Sequence, residues 1–328
     1  MKEHEIRPAA LMSRYLELST ADARECFGGA PRTDTLCVAC GGSDRRVQFD
    51  KHTFTYVRCL NCGTLFQSPR PPLAAFEAFY RDSESSRYWA EVFFPAVAEI
   101  RREKMFRPRV ERIARLCATR GLDVQHLVDV GAGYGIFLDE WRARFPRTEC
   151  LAVEPSASLA RECRQKHLNV VEDIVENVTG HEGSADLVTC FEVLEHVHAP
   201  LDFVKGLTNL TRSGGYVCVT TLCVDGFDIK MLWEKSTQIA PPHHINFLSV
   251  RGFEKLFARA GLEDIRVTTP GVLDVDIVRN AAERDPGILE GHRFLQELMT
   301  DETASSRFQR FLSRNRLSSH AWIMGRRP

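Results

Sequence analysis

Two Cys-x-x-Cys pairs stand early in the chain, Cys37-Val-Ala-Cys40-Gly and Cys59-Leu-Asn-Cys62-Gly, with 18 residues between them. Thiolates at this spacing in a tight turn can face one ion, and the glycine after each pair permits the turn. Two such turns complete a closed tetrahedral site, which marks structural zinc in a zinc ribbon. A redox Cys-x-x-Cys more often stands alone. A site closed by four cysteines keeps no position for catalysis, so its expected role is folding stability. It can also shape one wall of an active site. The other seven cysteines are scattered, several inside apolar runs, as reduced core cysteines are.

A second set of residues lies further on. Val128-Asp129-Val130-Gly131-Ala132-Gly133-Tyr134-Gly135 joins an expected strand to an expected helix. Glycines there let the backbone turn and let a ligand approach the main chain, and the helix start presents free N–H groups. A lone Gly-x-Gly is also an ordinary structural turn. The spacing is Gly-x-Gly-x-Gly, however, and not the Gly-x-Gly-x-x-Gly of a pyrophosphate cradle. Glu154 ends the next strand, 19 residues after Gly135. A carboxylate in that place can accept hydrogen bonds from both hydroxyls of a ribose. Asp173, past the third strand, is within range of an adenine amino group. Ribose and adenine without a pyrophosphate describe S-adenosylmethionine (SAM).

A third set is Glu192-Val-Leu-Glu195-His196, followed in a later loop by Pro241-Pro242-His243-His244. If the first run opens a helical turn, its two carboxylates and imidazole share one face. Glu195, His196, His243 or His244 then serves as a general base, a role suited to histidine's near-neutral pKa. Alternatively, Glu192, Glu195, His196 and His244 bind a divalent ion that lowers the pKa of an acceptor hydroxyl. A third reading gives them only hydrogen bonds that hold the loop.

The elements that must position these residues follow from pattern. Residues 1–33 read as an amphipathic arm ending at Gly28-Gly29-Ala30-Pro31, and 34–68 as the ribbon. Residues 69–122 read as a helical lid or linker, rich in aromatics. Most of these belong to a core, with Tyr80, Tyr88 and Trp89 as candidate pocket contacts. From residue 123 to 328 strands alternate with helices: HLVDV (126–130), LAVE (151–154), LNVV (168–171), DLVTCF (186–191) and GYVCVTT (215–221). Ser156 and Pro200 are expected at helix starts and Gly121 and Gly261 after helix ends. A closing block holds a helix over 249–260, a strand near 264–269, a helical region around 287–313 and a strand over 320–325. Such alternation predicts a parallel sheet covered on both faces.

Composition sets the outer limits. The 328 residues hold 43 basic and 44 acidic side chains, a net charge of -1, and 44% hydrophobic residues. Global disorder is excluded, and so is a whole-molecule field that would grip nucleic acid or an anionic membrane. The N-terminus carries charges through its apolar residues, without a signal-peptide core. The expectation is a cytoplasmic protein with no membrane partner.

The run VDVGAGYG, AVEP, EDI and DLVTCFEVLEHVHAP resembles the class I SAM-dependent methyltransferases in order and distance over residues 123–328. The resemblance implies a doubly wound α/β fold with seven strands, the last antiparallel. It places Asp129, Gly131, Gly133 and Gly135 around the methionine part of the cofactor, Glu154 at the ribose, and Asp173 with Ile174 at the adenine. It also implies that Phe191 and Glu192 line the floor near the methyl group. The Glu-x-x-Glu-His pattern with a later histidine is similar to metal-assisted O-methyltransferases of ubiquinone synthesis and of small-RNA 3′ ends. An N-terminal zinc module followed by CGTLFQSPRP resembles methyltransferases of deoxysugar and polysaccharide pathways. The implied acceptor is therefore a small molecule, a nucleotide-linked sugar or a natural-product hydroxyl or carbon. RNA methylation with the ribbon as recognition module, and a catalytically silent SAM-fold binding module, are the alternatives.

Overall fold

A computed structural model describes residues 2–328. They divide into two compact units, each made of several chain segments. The first comprises the chain up to Val97 with Leu222–Phe253 and Val267–Trp322. The second comprises Ala98–Thr221, Glu254–Arg266 and Ile323–Pro328. The units thus interleave along the chain, whereas the sequence reading set four segments one after another.

The first unit opens with the four-residue helix Glu3–Ile6, followed by the helix Ala9–Phe27, which stops before Gly29 as the breaker cluster predicts. Next come β1 (Arg45–Lys51), β2 (Phe54–Cys59) and β3 (Leu65–Gln67). The fourth strand of this antiparallel sheet, β9 (Asn246–Phe247), comes from far along the chain and pairs Phe247 with Leu65 and Asn246 with Phe66. A two-residue strand leaves no periodic signal, so the sequence reading passes over it. The core is aromatic. Phe27, Phe54, Tyr56, Phe76, Phe79 and Phe247 are at most 2% exposed, which places Phe76 and Phe79 of the helix Leu73–Asp82 in the core. Burying each such ring contributes about 1.5–3 kcal/mol of transfer free energy. A separate cluster joins Leu232, Val275, Val278, Met299 and Leu312. Its helices Phe227–Leu232 and Asp274–Arg284 were not anticipated. The first is only six residues long, and acidic residues open the second.

The second unit is built on β4 (His126–Val130), β5 (Glu149–Val153), β6 (Asn169–Val171), β7 (Ala185–Phe191) and β8 (Thr211–Leu222). With β10 (Glu263–Thr268) and β11 (His320–Arg326) they form one seven-stranded sheet, ordered β10-β11-β8-β7-β4-β5-β6. Strands β4 to β8 pair in parallel. Strand β11 runs against β8: Arg327 N–H donates to Gly215 O, and Cys223 N–H donates to Ser319 O. The antiparallel strand expected from the terminal HAWIMG is present. Six of the seven residues of β7 are buried, as a central parallel strand covered on both faces requires. Helices Ile136–Arg144, Ala157–Gln165 and Pro200–Leu210 alternate with the strands, and Pro200 occupies the first turn of the last. Ser156 precedes its helix without a side-chain cap bond. Among the described residues no helix is long and apolar enough to cross a membrane.

Candidate active site and four-cysteine centre

In the second unit, the three loop glycines all have positive φ: +71° at Gly131, +56° at Gly133 and +68° at Gly135. Two of them also lack room for a side chain. A Cβ at Gly131 would sit 2.5 Å from Val193 Cγ2, and one at Gly135 would sit 2.7 Å from Leu168 Cδ1. A Cβ at Gly133 would meet nothing within 4 Å, so its face of the loop is open to a ligand.

Glu154 is locked to this loop. Its Oε2 accepts from Gly133 N–H at 2.8 Å and its Oε1 from Ser156 N–H at 2.9 Å, and the residue is 5% exposed. Burial raises its pKa. Each oxygen keeps a further lone pair for a hydroxyl donor. Asp129 lies under the loop at 2% exposure, accepting from Thr189 Oγ1 at 2.7 Å. Burial pushes its pKa up to about 7. Asp173 turns one oxygen to Ile174 N–H and to Asn177 Nδ2, while the Ile174 side chain is 42% exposed. The open Gly133 face, the buried Glu154 carboxylate and the exposed Ile174 surface fit SAM.

The acidic run after β7 is a single turn, closed by His196 N–H donating to Val193 O at 2.9 Å, and the helix starts only at Pro200. Glu192 has φ +56°, a left-handed conformation that favours glycine, so the chain reverses there instead of entering a helix. Its Oε1 accepts from Arg109 Nη2 at 3.1 Å and from Thr220 Oγ1 at 2.6 Å. Arg109 is 5% exposed, with its guanidinium 4.4 Å from the Phe191 ring centroid. The Phe191 ring also meets Phe137 edge-on, centroids 4.6 Å apart. Glu195 is 2% exposed and accepts from Thr221 Oγ1 at 2.7 Å. Burial first, and then the charge of Glu192, push its pKa up to about 8. His196, half-buried, follows it directly.

Arg109, Thr189, Thr220 and Thr221 were missed in the sequence. Nothing in RPRVERIARL distinguishes the one arginine that ends up buried. Two threonines closing a strand were the only available signal, and a weak one.

The predicted catalytic residues are shared between the units. Glu195 and His196 lie in the second, His243 and His244 in the first. His243 is 4% exposed, its Nε2 3.1 Å from Ser85 Oγ and its ring packed by Tyr15, Phe79 and Tyr80. Burial pushes its pKa down to about 3, so it is a neutral core histidine at physiological pH. His244 is tied down differently. Its Nδ1 lies 2.5 Å from Gln238 O, which assigns the proton to Nδ1, and its own carbonyl accepts from Tyr56 Oη at 2.6 Å. Trp89 stacks on Phe93 at 4.4 Å, and Tyr80 Oη lies 3.3 Å from His243 O.

In the first unit the two cysteine turns repeat each other bond for bond. Cys37 N–H donates to Gly42 O and Gly41 N–H to Cys37 O, while Cys59 N–H donates to Thr64 O and Gly63 N–H to Cys59 O. Gly41 and Gly63 have φ of +74° and +82°. The four Sγ atoms lie within 4.8 Å of one another, with Cys37–Cys62 at 3.5 Å and Cys40–Cys59 at 3.6 Å. A tetrahedron with Zn–S bonds of about 2.3 Å has edges of about 3.8 Å, so the donor set fits zinc.

Comparison with known proteins agrees with this fold. The family model described as "Methyltransferase domain" matches residues 97–267, more than half of the chain. The chain belongs to that family, and its sheet is that of the class I SAM-dependent methyltransferases. It is 33% identical over 120 residues to ubiquinone biosynthesis O-methyltransferase of Albidiferax ferrireducens, covering 35% of this chain and 46% of the relative. It is 27% identical over 179 residues to tRNA U34 carboxymethyltransferase of Azotobacter vinelandii, covering 51% and 53%. The chain thus spans about half the length of these curated relatives. Among solved structures, plantazolicin methyltransferase BpumL in complex with SAH shares the fold, with a TM-score of 0.50 at 14% identity over 77% of this chain and 94% of that one.

Proposed function

We propose that the protein transfers the methyl group of SAM to a small-molecule acceptor. The observation that carries this is Glu154, buried and clamped to Gly133 N–H beside the one loop glycine with open space. Bound there, SAM supplies an electrophilic methyl carbon on a sulfonium. The chain's own work is to align the acceptor with that carbon, exclude water and take up the acceptor's proton. Glu154 holds the ribose, Asp173 and Ile174 the adenine, and Asp129 with the glycines the methionine end. Glu195 takes the proton. Its carboxylate is forced toward the protonated form by burial, which makes it basic near neutral pH. Arg109 already brings positive charge to Glu192, so Glu192 shapes the floor while Glu195 does the proton work. His196 is the adjoining candidate for proton relay. Cys37, Cys40, Cys59 and Cys62 would hold a structural zinc.

The acceptor we favour is a nucleotide-linked sugar or a natural-product hydroxyl or carbon. The CGTLFQSPRP segment and the balanced charge support it. The test uses SAM with a labelled methyl group and a cell extract split into small-molecule and RNA fractions. Label in the small-molecule fraction is the expected result. Label in RNA would replace this acceptor with a nucleic acid, a reading that the similarity to a tRNA-modifying enzyme favours. Label in neither would point to a silent binding module.

A further inference from the structure

The turn from β1 to β2 passes through Lys51, His52 and Thr53, with His52 in the left-handed region at φ +53°. Beside it, within the first unit, lies a cavity of about 170 Å³. Ser19 and Thr20 reach it from the helix Ala9–Phe27, Lys51 and His52 from the turn, and Ile239 and Pro241 from the segment before β9. No aspartate or glutamate is among its lining residues.

Two of the three lining hydroxyls have committed their protons: Ser19 Oγ donates to Pro241 O at 3.4 Å and Thr20 Oγ1 to Leu16 O at 2.8 Å. Lys51 Nζ donates to Ser236 O at 2.7 Å, one bond for a group with three donors. The His52 ring stands 3.5 Å from Thr20 Oγ1. Lys51 and the Thr237 hydroxyl therefore bring the spare donors, and the rest of the wall is largely apolar. At roughly 30 Å³ per water the space holds about six waters, the size of a fragment and not of a cofactor.

We infer that this cavity binds a small organic anion, a carboxylate on a short apolar tail, with the carboxylate on Lys51 Nζ and the tail against Ile239 and Pro241. The electrostatics agree. Burial pushes the Lys51 pKa down to about 8, and Glu234 offsets only part of that. A bound carboxylate would supply the missing opposite charge and raise it again.

Butyrate is the probe, and the full-length protein is used. Competitive acetylation of amines, read by mass spectrometry of the Lys51 peptide, follows Lys51 against other lysines. Butyrate should slow labelling of Lys51 alone, saturably, by about tenfold at ten times its Kd. It should also shift the pH dependence of that labelling upward. A butyrate-induced rise in melting temperature should vanish in Lys51→Met. The wild-type protection needs no variant, so a poorly folding Lys51→Met would not blunt the test. Unchanged Lys51 labelling at saturating butyrate would overturn the inference. So would equal protection by chloride or inorganic phosphate at matched ionic strength, since the apolar wall would then contribute nothing. The readout is independent of methyl transfer, so failure of the proposed activity and failure of this site are distinguishable.

Discussion

The four-cysteine hairpin and the acidic turn after β7 both crowd ionisable groups of one kind, and they do so by opposite means. The hairpin closes by local rules. Each cysteine turn makes the same two backbone bonds, and each uses a glycine with positive φ to make them. The acidic turn depends on distant residues. Glu192 is held by Arg109, 83 positions away, and by Thr220, while Glu195 is held by Thr221. One cluster is a compact set of four thiols whose spacing suits a tetrahedral ion. The other is a graded pair of carboxylates, one hydrogen-bonded to an arginine and the other, more deeply buried, to a threonine.

Breaking the hairpin should have the largest effect. Cys59→Ser leaves three thiolates, and structural zinc carries on the order of 10 kcal/mol of apparent binding energy in small zinc modules. The expected result is loss of bound zinc, measured by elemental analysis, with new protease cuts in residues 34–68. Stoichiometric zinc and an unchanged cleavage pattern would show that the cluster is not a metal site.

Removing Glu154 should come next. Glu154→Ala deletes an acceptor for charge-assisted hydrogen bonds worth about 1.5–3 kcal/mol each. Calorimetric affinity for S-adenosylhomocysteine should fall by about a hundredfold if two are lost. Unchanged affinity would remove Glu154 from the cofactor site.

Arg109→Met sharpens the comparison directly. It strips Glu192 of its guanidinium and should cost about 2 kcal/mol by denaturant unfolding. A fully buried pair would cost about 3–5 kcal/mol, but Glu192 keeps 34% of its side chain in solvent. With its neighbour no longer neutralised, Glu195 should titrate at still higher pH. A stable variant with an unmoved pH profile would make Arg109 a bystander.

The smallest effect per pH unit is the stability slope from Glu195. Its folded pKa, about 8, lies above the unfolded value of 4.5, so between these limits the folded state binds the extra proton. Stability from this group is therefore full below pH 4.5 and declines as pH rises toward 8, by at most about 1.4 kcal/mol per pH unit. Turnover should move the other way, rising through pH 8 as the carboxylate forms. Glu195→Gln should flatten both trends. A rise in turnover that survives the substitution would assign the base elsewhere.

Much was legible in one dimension. The four cysteines, the glycine loop and Glu154 were readable because fixed spacing along the chain dictates what a tight turn or a strand end can bring together. The strand-and-helix alternation was readable because buried parallel strands must be continuous apolar runs. The sequence by itself therefore determined the class of sheet, the four-cysteine hairpin and the carboxylate bound to the glycine loop. Only the tertiary structure decided which charges live out of water. It buried Arg109 from among many arginines, turned Glu192 left-handed, drew Thr220 and Thr221 onto two glutamates and made His243 a neutral core residue. Chain spacing encodes contacts a few residues apart. Desolvation and pairing depend on everything that surrounds a side chain, and those neighbours come from segments far apart in the sequence.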